Sequence, residues 1–108
     1  MSDFIPVARV EDIQPGQKRR FVVNGLAITL INLNGRFFAT QDTCTHESAS
    51  LTGGEIVDGC LECPRHGARF DIATGAVRSL PATQPIRVFP VKVEGTSLLV
   101  SLNSHQAI

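Results

Sequence analysis

Two Asn-Gly dipeptides, Asn24-Gly25 and Asn34-Gly35, each stand between runs rich in Val, Ile, Leu, Phe and Thr. A type I′ turn needs positive φ at both central residues, which Asn and Gly tolerate, and its twist matches that of paired strands. Residues 19–23, 26–33 and 36–40 are therefore predicted to form a three-stranded meander. Elsewhere Gly and Pro also punctuate short apolar runs, and no helix-length 3.6-residue periodicity occurs. The fold class this implies is all-β, with little α structure.

Towards the end, Ile86, Val88, Val91 and Val93 read as one strand whose alternation slips at Pro90, which predicts a bulge or an edge position. Gly95 turns it back into a strand over 98–102. The polar tail 103–108 is expected to fray, with His105 as a solvated side chain. The middle, about 41–81, is dense in Cys, His, Gly and Pro, with short strands expected at 55–57, 60–63 and 68–72. Its loops look built to hold something.

At 108 residues, with 43% hydrophobic and 19% charged residues, the chain suits one globular domain with one core. Ten Lys and Arg balance ten Asp and Glu, so no net positive field gathers nucleic acid or an anionic membrane. The opening MSDFIPVARVEDI lacks the pattern of a signal peptide, and no apolar run reaches membrane-spanning length. The expectation is a cytoplasmic monomer with no nucleic-acid or membrane partner. In that reducing compartment three cysteines are ligands or buried apolar groups sooner than a disulfide framework.

Cys44-Thr45-His46 is followed, after sixteen residues, by Cys63-Pro64-Arg65-His66-Gly67. Each loop offers one sulfur and one imidazole. Two irons bridged by sulfides need four terminal ligands, and giving one iron two thiolates and the other two neutral imidazoles is the Rieske arrangement. Cys44 and Cys63 can take a buried iron while His46 and His66 serve an outer one. Gly67 and the Gly53-Gly54 pair suit backbone that approaches the sulfides closely or takes positive φ, and Pro64 stiffens the second loop. Two other readings use Cys60-Leu61-Glu62-Cys63: a structural zinc site completed by His46 or His66, or a redox dithiol. Zinc spacing groups Cys with Cys and His with His, and a dithiol belongs at a helix start, so Cys60 is read as a non-ligand on a short strand.

The pair Cys-Thr-His and Cys-Pro-Arg-His-Gly resembles the two boxes of the Rieske family. The run Cys63-Pro-Arg-His-Gly-Ala-Arg-Phe-Asp71 is most similar to its soluble bacterial ferredoxins. The likeness is specific over 42–71 and looser from Phe4 to Leu102. It implies three antiparallel sheets: a sandwich-like base, about 4–40 and 82–102, with a cluster-binding subdomain of about 41–81 inserted into it. It also implies one Rieske [2Fe–2S] cluster and single-electron transfer from a flavin-containing, NAD(P)H-oxidising reductase to a terminal aromatic-ring dioxygenase. Leu80-Pro81 corresponds to a proline-bearing loop that covers the cluster.

High-potential respiratory members of the family carry Ser and Tyr hydroxyls where this chain has Ala68 and Phe70, and a disulfide where it has Ala49 and Arg65. The resemblance therefore implies a potential at the low end of the Rieske range, about −150 mV.

A catalytic mononuclear iron would need two further histidines and a carboxylate, and only His105 is left. There is no dinucleotide fingerprint or P-loop either. The chain reads as a carrier and not an enzyme; the alternatives are a small Rieske subunit fixed within a larger reductase, or a zinc-stabilised binding module. Asp42, Glu47, Glu55, Asp58 and Glu62, with no Lys or Arg between Asp42 and Cys63, predict an acidic docking face. Glu47 and Glu62 are taken as solvated.

Overall fold

The computed structural model describes residues 3–45, 49–65, 67–80, 84–103 and 105–106. Twelve strands are present among them: β1 (Phe4–Arg9), β2 (Lys18–Val23), β3 (Leu26–Leu33), β4 (Arg36–Gln41), β5 (Glu55–Val57), β6 (Cys60–Glu62), β7 (Arg69–Asp71), β8 (Val77–Ser79), β9 (Arg87–Phe89), β10 (Val91–Glu94), β11 (Ser97–Ser101) and β12 (His105–Gln106). They build three sheets, ordered β1-β11-β10, β12-β9-β4-β3-β2 and β5-β6-β7-β8, in which each pairing is antiparallel. No α-helix occurs among the described residues; two short 3₁₀ turns, Val10–Asp12 and Leu51–Gly53, complete the elements.

The meander forms as the dipeptides require. Asn24 and Gly25 have φ of 50° and 80°, and Asn34 and Gly35 have 54° and 91°, so both turns are of the primed type. The same device recurs at Asp58 (φ 49°) and Gly59 (φ 75°) between β5 and β6, where an Asp-Gly pair makes the turn.

β3 is buried on both faces, and this places the rest. Ile28 and Leu30 enter a core with Ile13, Val23, Ala39, Phe89, Leu98 and Val100, between the five- and three-stranded sheets. Ile31, on the opposite face, enters a second core with Leu51, Leu61, Phe70, Ile72 and Ile86 beneath the four-stranded sheet. That four-stranded sheet is built wholly from the chain between β4 and β9.

Two expectations are corrected. The run around Pro90 is not one bulged strand: β9 pairs with β4 in the five-stranded sheet and β10 with β11 in the three-stranded one. Pro90 is the corner where the chain changes sheets, and lacking an N–H it leaves no ladder donor unpaired there. The tail is not wholly frayed, because β12 pairs His105 with Val88 and Gln106 with Arg87, continuing the sheet beyond β9.

Candidate metal centre

The two cysteines singled out above sit on loops of one design. In the first, an isolated bridge between Thr43 and Ser50 closes the loop, and the Cys44 N–H donates to the Ala49 carbonyl at 2.9 Å. In the second, the Glu62–Arg69 pair of β6 and β7 closes the loop, and the Cys63 N–H donates to the Ala68 carbonyl at 2.7 Å. Leu51 and Phe70, fully buried, hold matching places just beyond the two closures. Cys44 is 3% and Cys63 1% exposed, and both belong to the core that holds Ile31 and Ile86. The structure thus brings these two thiols into one apolar cluster. His46 and His66, the other two candidates, lie outside the described residues, as do Glu47 and Pro81.

None of the three cysteines is in a disulfide. Cys60 is buried but does not join the cluster of Cys44 and Cys63. It alternates along β6 with Leu61, which does join it, so Cys60 faces the other way. Among the described residues, Cys60 and Cys63 are not brought together as a C-x-x-C zinc or dithiol site requires. Two buried thiols on paired loops, each followed by a histidine in sequence, fit the donor set that a cluster with soft ligands on one metal and imidazoles on the next would need.

The loops are fastened to each other and to the strands around them. A Cβ built on Gly54 would stand 1.7 Å from the Glu62 carbonyl oxygen and 3.3 Å from Pro64 Cδ. Gly54 is therefore needed for close approach to the backbone flanking Cys63. The expectation of positive φ is corrected for Gly54, which has φ −89°; of these three glycines, Gly67 alone, with φ 75°, takes the left-handed conformation. Thr45, next to Cys44, donates its hydroxyl to the Gln84 carbonyl at 2.6 Å. Ser79 Oγ donates to the Gly67 carbonyl at 3.4 Å.

Asp42 is a correction and the residue whose role sequence reasoning missed. It is not a docking charge: it is 3% exposed, and it accepts hydrogen bonds from Thr29 Oγ1 (2.8 Å), Thr52 N (3.0 Å), Thr52 Oγ1 (2.6 Å), Ser50 Oγ (2.8 Å) and Arg20 Nε (3.1 Å). Burial pushes its pKa up. Hydrogen bonds from the Thr52, Ser50 and Thr29 hydroxyls and from the Thr52 amide together outweigh that and hold the carboxyl below its ordinary value. A Ser and a Thr spaced eight and ten residues after an Asp give no sequence signal of such a cradle.

Glu62 is not simply solvated either, because Arg69 Nε donates to its Oε2 at 2.9 Å across β6 and β7. Of the five acids expected on a docking face, Glu55 and Asp58 are exposed among the described residues. Ala68 and Phe70 are fully buried and put no hydroxyl near the cysteines. A groove of about 650 Å³ lies elsewhere, lined by Phe37, Ile72, Thr74, Phe89 and Pro90 among others, and neither cysteine loop contributes to it.

Residues 3–90 match the family described as the Rieske [2Fe–2S] domain. The ferredoxin component of biphenyl 2,3-dioxygenase from Rhodococcus jostii (strain RHA1) is 44% identical over 91 residues, covering 84% of this chain and 85% of that one. The ferredoxin of carbazole 1,9a-dioxygenase from Nocardioides aromaticivorans IC177 superposes with a TM-score of 0.88 at 33% identity, over 93% of this chain and 98% of the other. A chain from a complex of reduced oxygenase and oxidised ferredoxin in carbazole 1,9a-dioxygenase superposes with a TM-score of 0.83 at 38% identity, over 89% and 99%.

Proposed function

This chain belongs to the Rieske [2Fe–2S] domain family and carries one such cluster, and from that premise we propose that it is the one-electron ferredoxin of an aromatic-ring dioxygenase system. It is an electron-transfer component and not a catalytic subunit, as its relatives are ferredoxin components. In this reading a flavin-containing, NAD(P)H-oxidising reductase supplies the electron and a terminal ring-hydroxylating oxygenase receives it. Pairing of a ferredoxin with an oxygenase in the carbazole system supports the second of these partners.

Cys44 and Cys63 bind one iron and His46 and His66 the other. The observation that carries this assignment is the burial of Cys44 and Cys63 in one core cluster on loops of matching hydrogen-bond design. When bound, the cluster supplies reversible uptake of one electron. The chain holds the thiolates in an apolar core that excludes water, and ties the loops to fixed strands, so little rearrangement accompanies the change of charge.

The cluster-binding subdomain is 41–81, set into a base of 4–40 and 82–102; the four-stranded sheet made only of residues between β4 and β9 supports that division. We place the protein in the cytoplasm as a monomer. No helix among the described residues is long and apolar enough to cross a membrane.

The test is reconstitution. Purified protein should contain two irons and two acid-labile sulfides, accept one electron per molecule, and restore ring hydroxylation to an oxygenase and reductase of this class that lack their ferredoxin. Stoichiometric zinc with no visible absorption overturns the reading.

A further inference from the structure

Among the described residues the two cysteine loops are closely alike, and one difference stands out. The residue just before the closing pair is Leu61 in the second loop, fully buried and apolar. In the first loop that place belongs to Asp42, equally buried and anionic. A loop of this design therefore closes with no charge at this buried place, and an apolar side chain would have avoided the desolvation that a buried carboxylate costs.

Asp42 lies two residues before Cys44, and its donors come from both sides of the loop. Ser50 and Thr52 bind it from beyond the loop, Thr29 from β3 and Arg20 from β2. The Leu51 N–H also donates to the Asp42 carbonyl, at 2.6 Å, so main chain and side chain together draw the loop shut. Its charged partner among the described residues, Arg20, has a side chain 52% exposed, where water screens a cation; the carboxylate is 4% exposed and is not screened alike.

We propose that Asp42 is the positioning residue of the first cysteine loop and a fixed buried anion that lowers the reduction potential of the centre. The proposal rests on Cys44 being a ligand. A negative charge held in low dielectric two residues from a ligand disfavours the added electron, and incomplete compensation by Arg20 leaves that effect in place.

Two variants of the holoprotein test it by direct electrochemistry, with visible circular dichroism reporting an intact cluster. Asp42→Asn keeps the shape and an acceptor oxygen but removes the charge, and should shift the midpoint to more positive potential and speed iron loss to a chelator. Arg20→Gln removes the counter-charge and should shift the midpoint to more negative potential. Mere loosening of the loop gives no reason for opposite signs. Intact clusters with unchanged midpoints, or shifts of the same sign, overturn the proposal; if Asp42→Asn yields no folded protein, the sign for Arg20→Gln alone decides. Failure of the ligand reading is seen separately, as a Cys44→Ala protein that keeps the native spectrum.

Discussion

Gly54 lies against the main chain of Glu62 so closely that any Cβ would meet the Glu62 carbonyl oxygen, at 1.7 Å. Gly54 closes the 3₁₀ turn after the first cysteine loop, and Glu62 immediately precedes Cys63, so this contact sets the spacing of the two loops. The Glu62 oxygen is main chain and cannot swing away as a side chain could. Gly54→Ala should cost at least about 1–3 kcal/mol, the usual range for overpacking, and reduce cluster retention. Chemical denaturation of the holoprotein, with iron content, checks this; wild-type stability would mean that the two loops can separate freely.

Substitution of the cysteines separates ligands from filler. Cys44→Ala and Cys63→Ala should each abolish the visible spectrum, as should His46→Ala and His66→Ala. Cys60→Ser should keep it, because Cys60 faces away from the cluster of Cys44 and Cys63. Its cost should be confined to stability, about 1–3 kcal/mol for a hydroxyl placed among buried groups. Absorption spectra with iron and sulfide analysis decide. Loss of the cluster in Cys60→Ser with retention in His66→Ala would reassign the ligands.

Much of this was legible in the residues, for identifiable reasons. The Asn-Gly turns fix their hairpins locally, so β2, β3 and β4 could be placed without knowing anything distant. The cysteine-histidine spacing, which the proposed ligation would require, is equally local. What escaped depends on contacts remote in sequence. Pro90 reads as a bulge until β4 and β11 are known to draw β9 and β10 into different sheets. Asp42 reads as a surface acid until Thr29, Ser50 and Thr52 converge on it. Glu62 reads as solvated until β7 brings Arg69 beside it. Charge runs along a sequence do not specify a face when strands fold their neighbours' cations among them.

Docking should accordingly respond only weakly to salt. Asp42 is buried and Glu62 is paired with Arg69, so of the five acids expected on that face Glu55 and Asp58 are the ones exposed among the described residues. Raising ionic strength from low to physiological should slow association with the oxygenase by less than about tenfold, and Glu55→Gln with Asp58→Asn should remove what dependence there is. Leu80 should matter more. Its side chain is 75% exposed directly after Ser79, which bonds the second cysteine loop. Leu80→Ser should weaken electron delivery while midpoint and stability stay as they are, the latter within about 0.5 kcal/mol. Stopped-flow reduction of the oxygenase as a function of salt and variant gives both answers.

The potential itself should lie near the low end of the Rieske range, about −150 mV. Neutral imidazoles in place of two thiolates make the oxidised centre less negative than a four-cysteine one, so it accepts an electron more readily than a plant-type ferredoxin. Hydrogen bonds to the sulfurs would raise it further, because a donor stabilises the charge of the reduced state. The positions at which high-potential relatives place those hydroxyls are Ala68 and Phe70, both fully buried in the core that holds Cys44 and Cys63. Ala68 is also the residue whose carbonyl accepts from the Cys63 amide, so a side chain there lies on the second cysteine loop itself. Ala68→Ser and Phe70→Tyr together should move the midpoint positive by the worth of one or two charge-assisted hydrogen bonds, about 1.5–3 kcal/mol each at most. Because the Asp42 charge acts through space from the first loop, its substitution should add to that shift and not replace it. Protein-film voltammetry on the wild-type and Asp42→Asn backgrounds, each with and without the hydroxyl pair, measures this; a wild-type midpoint well above zero, or a hydroxyl pair with intact cluster and no shift, would sink the account.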